Sequence, residues 1–73
     1  MEIEQLLTEW QDVLQRDDPL EAGMKLSEIE EWDSLSQVSM AAFFERKLGI
    51  RVSSETLAHC KSVQELLTLA GKA

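Results

Sequence analysis

The spacing of apolar residues is the feature of this sequence that most constrains its fold. Residues 2–15 carry apolar side chains three or four positions apart, as one face of an α-helix does. These positions are Ile3, Leu6, Leu7, Trp10, Val13 and Leu14. The spacing predicts a first helix over residues 2–15, which ends near residues 16–19 because Pro19 cannot continue a helix.

A second helix is predicted to begin at Asp33, whose carboxylate can accept hydrogen bonds from the N–H groups of a first helical turn. It runs to about Leu48, where Gly49 ends it. Its inward face is expected to contain Leu35, Val38, Ala42, Phe43 and Leu48.

The segment Ile50–Val52 reads as extended chain that is too short and isolated for a sheet strand. Either Ser53 or Ser54 then caps a short third helix that carries Leu57 and Cys60. Cys60 is expected at a core position, as a small buried residue.

A fourth helix is predicted over residues 62–70. Ser62 and Glu65 stand three apart ahead of an apolar run, which is the pattern of a capping box. The apolar stripe of this helix consists of Val63, Leu66, Leu67 and Ala70. Gly71 stops the helix.

The connection between the first two helices is long, and loops of this length are usually functional. Its apolar residues are expected to anchor the loop onto the core. They are Leu20, Met24, Leu26, Ile29 and Trp32.

With 73 residues, the chain is expected to form one domain over residues 1–73. A domain of this size buries only about 60% of the surface of its unfolded chain, so its core is thin. We therefore predict an all-α fold, an antiparallel four-helix bundle with a short third helix, that acts as a monomer. Cys60 is the only cysteine, so no internal disulfide forms.

The net charge of −7 argues against a nucleic-acid binder, because phosphate contacts need clustered lysine and arginine. Residues 1–33 carry eleven acidic against two basic residues, whereas residues 34–73 carry three against five. No run of apolar residues approaches the length of a membrane span, and the N-terminus lacks the pattern of a secretory signal. A cytoplasmic protein with basic partners is expected.

The tripeptide Asp33-Ser34-Leu35, placed where a long loop meets a helix, resembles the signature of acyl carrier proteins. The resemblance extends over nearly the whole chain, in the order and spacing of its helices. It implies a carrier without catalytic residues, in which Ser34 holds an acyl or aminoacyl group through covalently attached 4'-phosphopantetheine. It implies as partners a phosphopantetheinyl transferase, a loading ligase or transferase, and downstream biosynthetic enzymes. Asp33 would cap the helix and help the transferase to dock.

Two features depart from the carriers of fatty-acid synthesis. Residues 34–48 have a net charge of +1, whereas the second helix of those carriers is typically acidic. Trp32 stands where they usually have a small residue, as a loop anchor or as a contact for the cargo. The charge argues against a role in primary fatty-acid synthesis. The sequence Trp32-Asp33-Ser34-Leu35 resembles discrete carriers of specialised pathways, such as those that handle polyketide units, small acids, aminoacyl groups or polysaccharides.

The face that meets partner enzymes is expected on the second helix. Leu35 and Val38 are read first as core residues and second as partner contacts. Met40 and Ala41 are expected to point partly outward. They either contact a partner or an acyl chain, together with Gln37, or only pack against the fold.

Several alternatives use the same residues. Asp33 and Ser34 could be no more than a capping pair, and the chain an unmodified interaction module that uses a face formed by Met40, Ala41 and Phe44. Phosphorylation of Ser34 by a kinase is a further alternative, and its only support is that a helix N-terminus favours a negative charge.

Catalytic and metal sites are not expected. A triad of Ser34, His59 and Asp33 fails because adjacent Asp and Ser residues cannot flank one imidazole in the required order. His59 and Cys60 lack further zinc ligands, and the acidic residues before Ser34 lack the spacing of a calcium loop.

Overall fold

The computed structural model describes residues 1–71. Residues 72 and 73, which belong to the predicted domain, lie outside the described residues. Four α-helices form the fold: α1 (Ile3–Leu14), α2 (Ser34–Phe43), α3 (Ser54–Ala58) and α4 (Val63–Leu69). The predicted all-α fold, with a short third helix and a long loop between the first two helices, is confirmed. None of the helices in residues 1–71 is long and apolar enough to span a bilayer.

One part of the core lies between α1 and Phe44, the residue that follows α2. Leu6, Trp10 and Leu14 are buried and lie four residues apart, so they share one face of α1. The Trp10 ring stacks on Phe44, with 5.8 Å between the ring centroids and 7° between the planes. Buried aromatic pairs contribute strongly in so small a core, because each ring buries a large apolar area.

The first helix, Ile3–Leu14, agrees with the predicted helix over residues 2–15 to within one residue at each end. Gln15 adopts a left-handed conformation with φ of 56°, and its N–H donates to the Asp12 carbonyl oxygen at 3.0 Å. The chain therefore turns out of the helix before it reaches Pro19. Gln11 secures this turn, since its Nε2 donates to the carbonyl oxygens of Arg16 and Asp17 at 3.1 Å.

The predicted inward face of α2 is largely wrong. Leu35 and Val38 are 75% and 56% exposed, and Ala42 is exposed as well. The buried residues are instead Ser36, Met40, Phe43 and Phe44, of which only Phe43 was expected. Apolar residues occur all around this helix, so their spacing does not distinguish the buried face from the exposed one.

A single π-helical segment, Phe44–Leu48, continues α2 without a break in chain direction. Gly49 follows with φ of 68°, a left-handed conformation that glycine adopts without steric penalty. The predicted end of the second helix at Gly49 is confirmed, although its last turn is wider than an α-helical turn.

The long loop is held against the core, as predicted. Leu20, Leu26 and Ile29 are buried, and a 3₁₀ turn at Leu26–Glu28 shortens the connection. An isolated antiparallel bridge joins Lys25 to Ser62 at the start of α4.

Serine side chains cap both short helices. Ser53, rather than Ser54, caps α3, and its Oγ accepts from Thr56 N at 3.1 Å. The capping box of α4 is confirmed, because Ser62 Oγ accepts from Glu65 N at 3.3 Å while Glu65 Oε2 accepts from Ser62 N at 3.1 Å. Cys60 lies beyond the end of α3 and is only half-buried. The prediction that it is a buried core residue is therefore wrong.

Candidate functional site

Ser34 is the first residue of α2, and its side chain is exposed. Its position follows from the residue before it, since Asp33 is the N-cap and adopts an extended conformation. Ser34 therefore stands at the first helical position, where nothing in the described residues 1–71 covers it. The predicted placement of this serine at the junction of loop and helix is therefore what the structure shows.

Three hydrogen bonds close the N-terminus of α2. Asp33 Oδ1 accepts from Ser36 N at 2.9 Å, and Ser36 Oγ accepts from Asp33 N at 2.9 Å. The Ser36 hydroxyl also donates to the Asp33 carbonyl oxygen at 3.0 Å. None of these bonds uses the Ser34 hydroxyl, which leaves that oxygen available for chemistry.

Sequence reasoning missed Ser36, although its spacing carried a signal. It stands three residues after Asp33, where a capping box places a side chain that reaches back to the N-cap. Ser36 can be buried because its hydroxyl both accepts and donates a hydrogen bond, so no polar group is left unsatisfied.

The N-terminus of α2 suits a negatively charged group on Ser34. The N–H groups of a first helical turn have no acceptors within the helix, and the helix dipole places partial positive charge there. Ser36 N donates to Asp33, whereas among residues 1–71 the structure shows no acceptor for the N–H groups of Ser34 and Leu35. A phosphate on Ser34 would lie beside these donors.

The acidic turn before the serine is partly neutralised. Arg16, just after α1, forms an ion pair of 2.9 Å with Glu31. Hydrogen bonds from the backbone N–H of Glu31 and from Arg16 lower the pKa of the Glu31 carboxyl below its ordinary value of 4.5. This ion pair links the end of α1 to the loop that precedes Ser34.

The proposed partner residues divide into two groups. Leu35 and Val38 are exposed and lie one turn apart on α2, directly after Ser34, while Gln37 and Ala41 are half-buried. Met40 is 0% exposed and belongs to the core, so its expected outward orientation is wrong.

The alternative interaction face fails for the same reason. Phe44 is also fully buried, against Trp10, so two of the three residues that would form the face are in the core. We define the exposed pair Leu35 and Val38 as the apolar ridge of α2.

A groove of about 540 Å³ is formed by α2, the end of α3 and the long loop. We call it the lysine groove, and its principal lining residues are Lys25, Leu26, Trp32, Gln37, Cys60 and Lys61. Trp32 is half-buried and packs against the core, which confirms its role as a loop anchor. Sequence reasoning missed the groove because its walls come from segments far apart in the chain.

The remaining polar candidates form no second site. His59 Nδ1 lies 2.8 Å from the Glu55 carbonyl oxygen within its own short helix. Burial, and secondarily the negative charge of Glu65, raises the pKa of the Cys60 thiol, which disfavours the reactive thiolate. Among residues 1–71, no three His, Cys, Asp or Glu side chains are grouped as metal ligands would be.

Comparison with known proteins agrees with this geometry. The family model described as phosphopantetheine attachment site matches residues 4–70. No curated protein and no solved structure gives a significant match. Since the family match covers nearly all of the chain, the protein belongs to the family of phosphopantetheine-binding carrier domains.

Membership in this family defines the general activity. Domains of this family carry 4'-phosphopantetheine covalently and are not themselves catalytic. They interact with phosphopantetheinyl transferases and with biosynthetic enzymes. The chain is therefore an acyl carrier protein in the broad sense, and the sequence resemblance is confirmed at that level.

Proposed function

We propose that Ser34 is the residue to which 4'-phosphopantetheine is attached, in a discrete acyl or aminoacyl carrier formed by residues 1–73. The observation that carries the proposal is the exposed hydroxyl at the first position of α2, outside all three hydrogen bonds of the cap. A serine that only stabilised the helix would be expected to take part in that network.

Ser34 acts here as the nucleophile of a phosphoryl transfer catalysed by another protein. Its Oγ forms a bond to the phosphorus of coenzyme A that bears the pantetheine arm, and the bond breaks between that phosphorus and the oxygen that bridges it to the phosphate of the nucleotide. The hydroxyl proton leaves to a base of the transferase, and the nucleotide leaves with the bonding electrons. When attached, the arm supplies a terminal thiol that holds the cargo as a thioester.

Asp33 has two roles in this proposal. It holds the first turn of α2 through Ser36 N, so the direction of the Ser34 side chain is set before the transferase arrives. Its second carboxylate oxygen remains available at the surface, because Asp33 is exposed, and it can be recognised by a basic residue of the transferase.

Partner enzymes contact the apolar ridge of α2. Leu35 and Val38 are large apolar side chains left in solvent by a chain with a small core, which is typical of an interaction surface. Gln37 and Ala41, both half-buried, lie at the edge of this surface. Met40 is not part of it.

A specialised pathway suits this surface better than fatty-acid synthesis. Residues 34–48 have a net charge of +1, from Glu45 against Arg46 and Lys47. Docking that depends on apolar contact has a weaker salt dependence than docking steered by an acidic helix.

Intact mass after incubation with coenzyme A and a broad-specificity phosphopantetheinyl transferase tests the attachment site. We expect a single increment of the mass of the arm, which disappears in Ser34→Ala. Ser39→Ala is the matched control, since Ser39 is also exposed on α2 but lies outside the first turn.

Both serine variants are expected to keep the thermal midpoint of the parent chain, because substitutions of exposed residues usually change stability by less than about 0.5 kcal/mol. A full increment in Ser34→Ala would place the arm elsewhere. No increment in the parent chain would favour an unmodified interaction module.

A further inference from the structure

The lysine groove differs in charge from the rest of this acidic chain. The protein has 14 acidic against 7 basic residues, yet the charged residues that line the groove are Lys25 and Lys61. No carboxylate is among its lining residues. Lys25 is moreover one of only two basic residues in the strongly acidic segment 1–33.

The fold brings these two lysines together from segments 36 positions apart. Leu26 N donates to the Lys61 carbonyl oxygen at 2.9 Å, and Val63 N donates to the Met24 carbonyl oxygen at 3.0 Å. The bridge between Lys25 and Ser62 lies between these two bonds. The chain segments that carry the two lysines are therefore paired, and both lysines line the same groove.

Neither lysine is neutralised by the protein. The ion pair found among residues 1–71 joins Arg16 to Glu31, so neither ammonium group has a described carboxylate within 4.0 Å. Glu65 is close, but its Oε2 accepts from the backbone N–H groups of Lys61 and Ser62 at 2.6 and 3.1 Å. Because both lysines line the groove, an anion bound in it would be attracted by two positive charges.

The groove also lies where a group carried on Ser34 can reach it. Trp32 precedes the serine by two residues, and Gln37 follows it by three, which places Gln37 on the neighbouring position of the helix surface. Leu26, Trp32 and Cys60 give the groove an apolar part, which suits methylene groups. Its volume of about 540 Å³ is within the range of small-molecule sites.

We propose that the acyl group carried by this protein ends in a carboxylate, which Lys25 and Lys61 bind in the lysine groove. The inference rests on attachment of the arm at Ser34. A short dicarboxylic acid joined through one of its two carboxyl groups has the required chemistry, since its chain meets the apolar part and its second carboxylate meets the lysines.

The test compares two cargoes of the same length on the full chain. The arm is loaded with a non-hydrolysable succinyl group, labelled with ¹³C at its terminal carboxylate, or with a butyryl group. NMR titration then gives the pKa of the succinyl carboxylate. We expect a pKa lower by about half a unit or more than that of free succinyl-pantetheine, because two ammonium groups favour the charged form.

Three further measurements test whether Lys25 and Lys61 cause the lowered pKa of the succinyl carboxylate. The double variant Lys25→Gln/Lys61→Gln should restore the pKa of free succinyl-pantetheine, whereas Lys47→Gln, the same change outside the groove, should not. Backbone amide shifts at Leu26 and Lys61 should change on succinyl loading, and change much less with butyryl or with the arm alone.

The outcomes that contradict the inference are distinct from failure of the proposed function. If the arm attaches at Ser34 but the carboxylate titrates as it does free in solution, the carrier assignment stands and the cargo inference is overturned. Equal amide shifts with the unloaded arm would mean that the lysines bind the arm's phosphate, and would also overturn it. Absence of any mass increment would overturn both.

Discussion

The two longest helices, α1 and α2, show opposite relations between sequence pattern and burial. In α1 the residues spaced at helical intervals include the buried ones, Leu6, Trp10 and Leu14. In α2 the same reasoning selected Leu35 and Val38, which are among the most exposed large apolar residues of residues 1–71.

The two helices differ in the kind and the placement of their polar residues. Three acidic residues of α1, Glu4, Glu9 and Asp12, lie away from its apolar stripe, so only one face can be buried. Residues 34–43 contain no charged residue, and serine, glutamine, alanine and large apolar residues are spread around the helix. A helix that must both pack on a core and meet other proteins has apolar residues on both faces, and its periodicity then gives no clear orientation.

The largest expected change in stability is a difference between the buried and the exposed face of α2. Met40→Ala should lower the free energy of unfolding by about 2–5 kcal/mol, because it removes a fully buried side chain and leaves a cavity. Leu35→Ala should change it by less than about 0.5 kcal/mol, since Leu35 is 75% exposed. Urea denaturation followed by circular dichroism measures both.

Leu6→Ala in α1 provides the reference for a core residue, because Leu6 is also fully buried. It should resemble Met40→Ala. If Leu35→Ala were instead the more damaging variant in α2, the buried face would be the one that periodicity indicates, and the apolar ridge would not exist.

A medium effect is expected at the beginning of α2. Asp33→Ala should lower the free energy of unfolding by about 1 kcal/mol, because Ser36 N loses its acceptor. Asp33→Asn keeps an acceptor oxygen and should lose only a few tenths of a kcal/mol, from the interaction of charge with the helix dipole.

The same two variants sharpen the assignment of Asp33. If the carboxylate also binds the transferase, Asp33→Asn should slow arm attachment by more than its small loss of stability explains. An attachment rate equal to that of the parent chain would restrict Asp33 to its capping role.

The smallest expected change in stability concerns the ion pair between Arg16, just after α1, and Glu31, in the loop before α2. The pKa of Glu31 is lowered in the folded protein, so its contribution to stability is present above its ordinary value of 4.5 and is lost as the pH falls through the folded pKa. Glu31→Gln should therefore reduce the fall in urea midpoint between about pH 5 and pH 3. Glu28→Gln, which changes an exposed residue of the same loop outside the ion pair, should leave that fall unchanged.

Local signals were the reliable part of the prediction. The caps at Asp33 and Ser62, and the glycine after the second helix, depend on hydrogen bonds or φ angles within a few residues, and the structure confirms each of them. Gln15 shows the limit of such signals. A glutamine gives no indication of a left-handed residue, so the conformation of Gln15 was not predicted, although the end of α1 was placed within one residue.

The sequence alone determined the all-α fold, the order of the helices, the long anchored loop and the serine at the start of α2, because these depend on spacing and capping between near neighbours. Only the tertiary structure decided which face of α2 is buried and that Lys25 and Lys61 share one groove. Both depend on contacts between distant segments, and the order of residues along a single chain does not specify which distant segments meet.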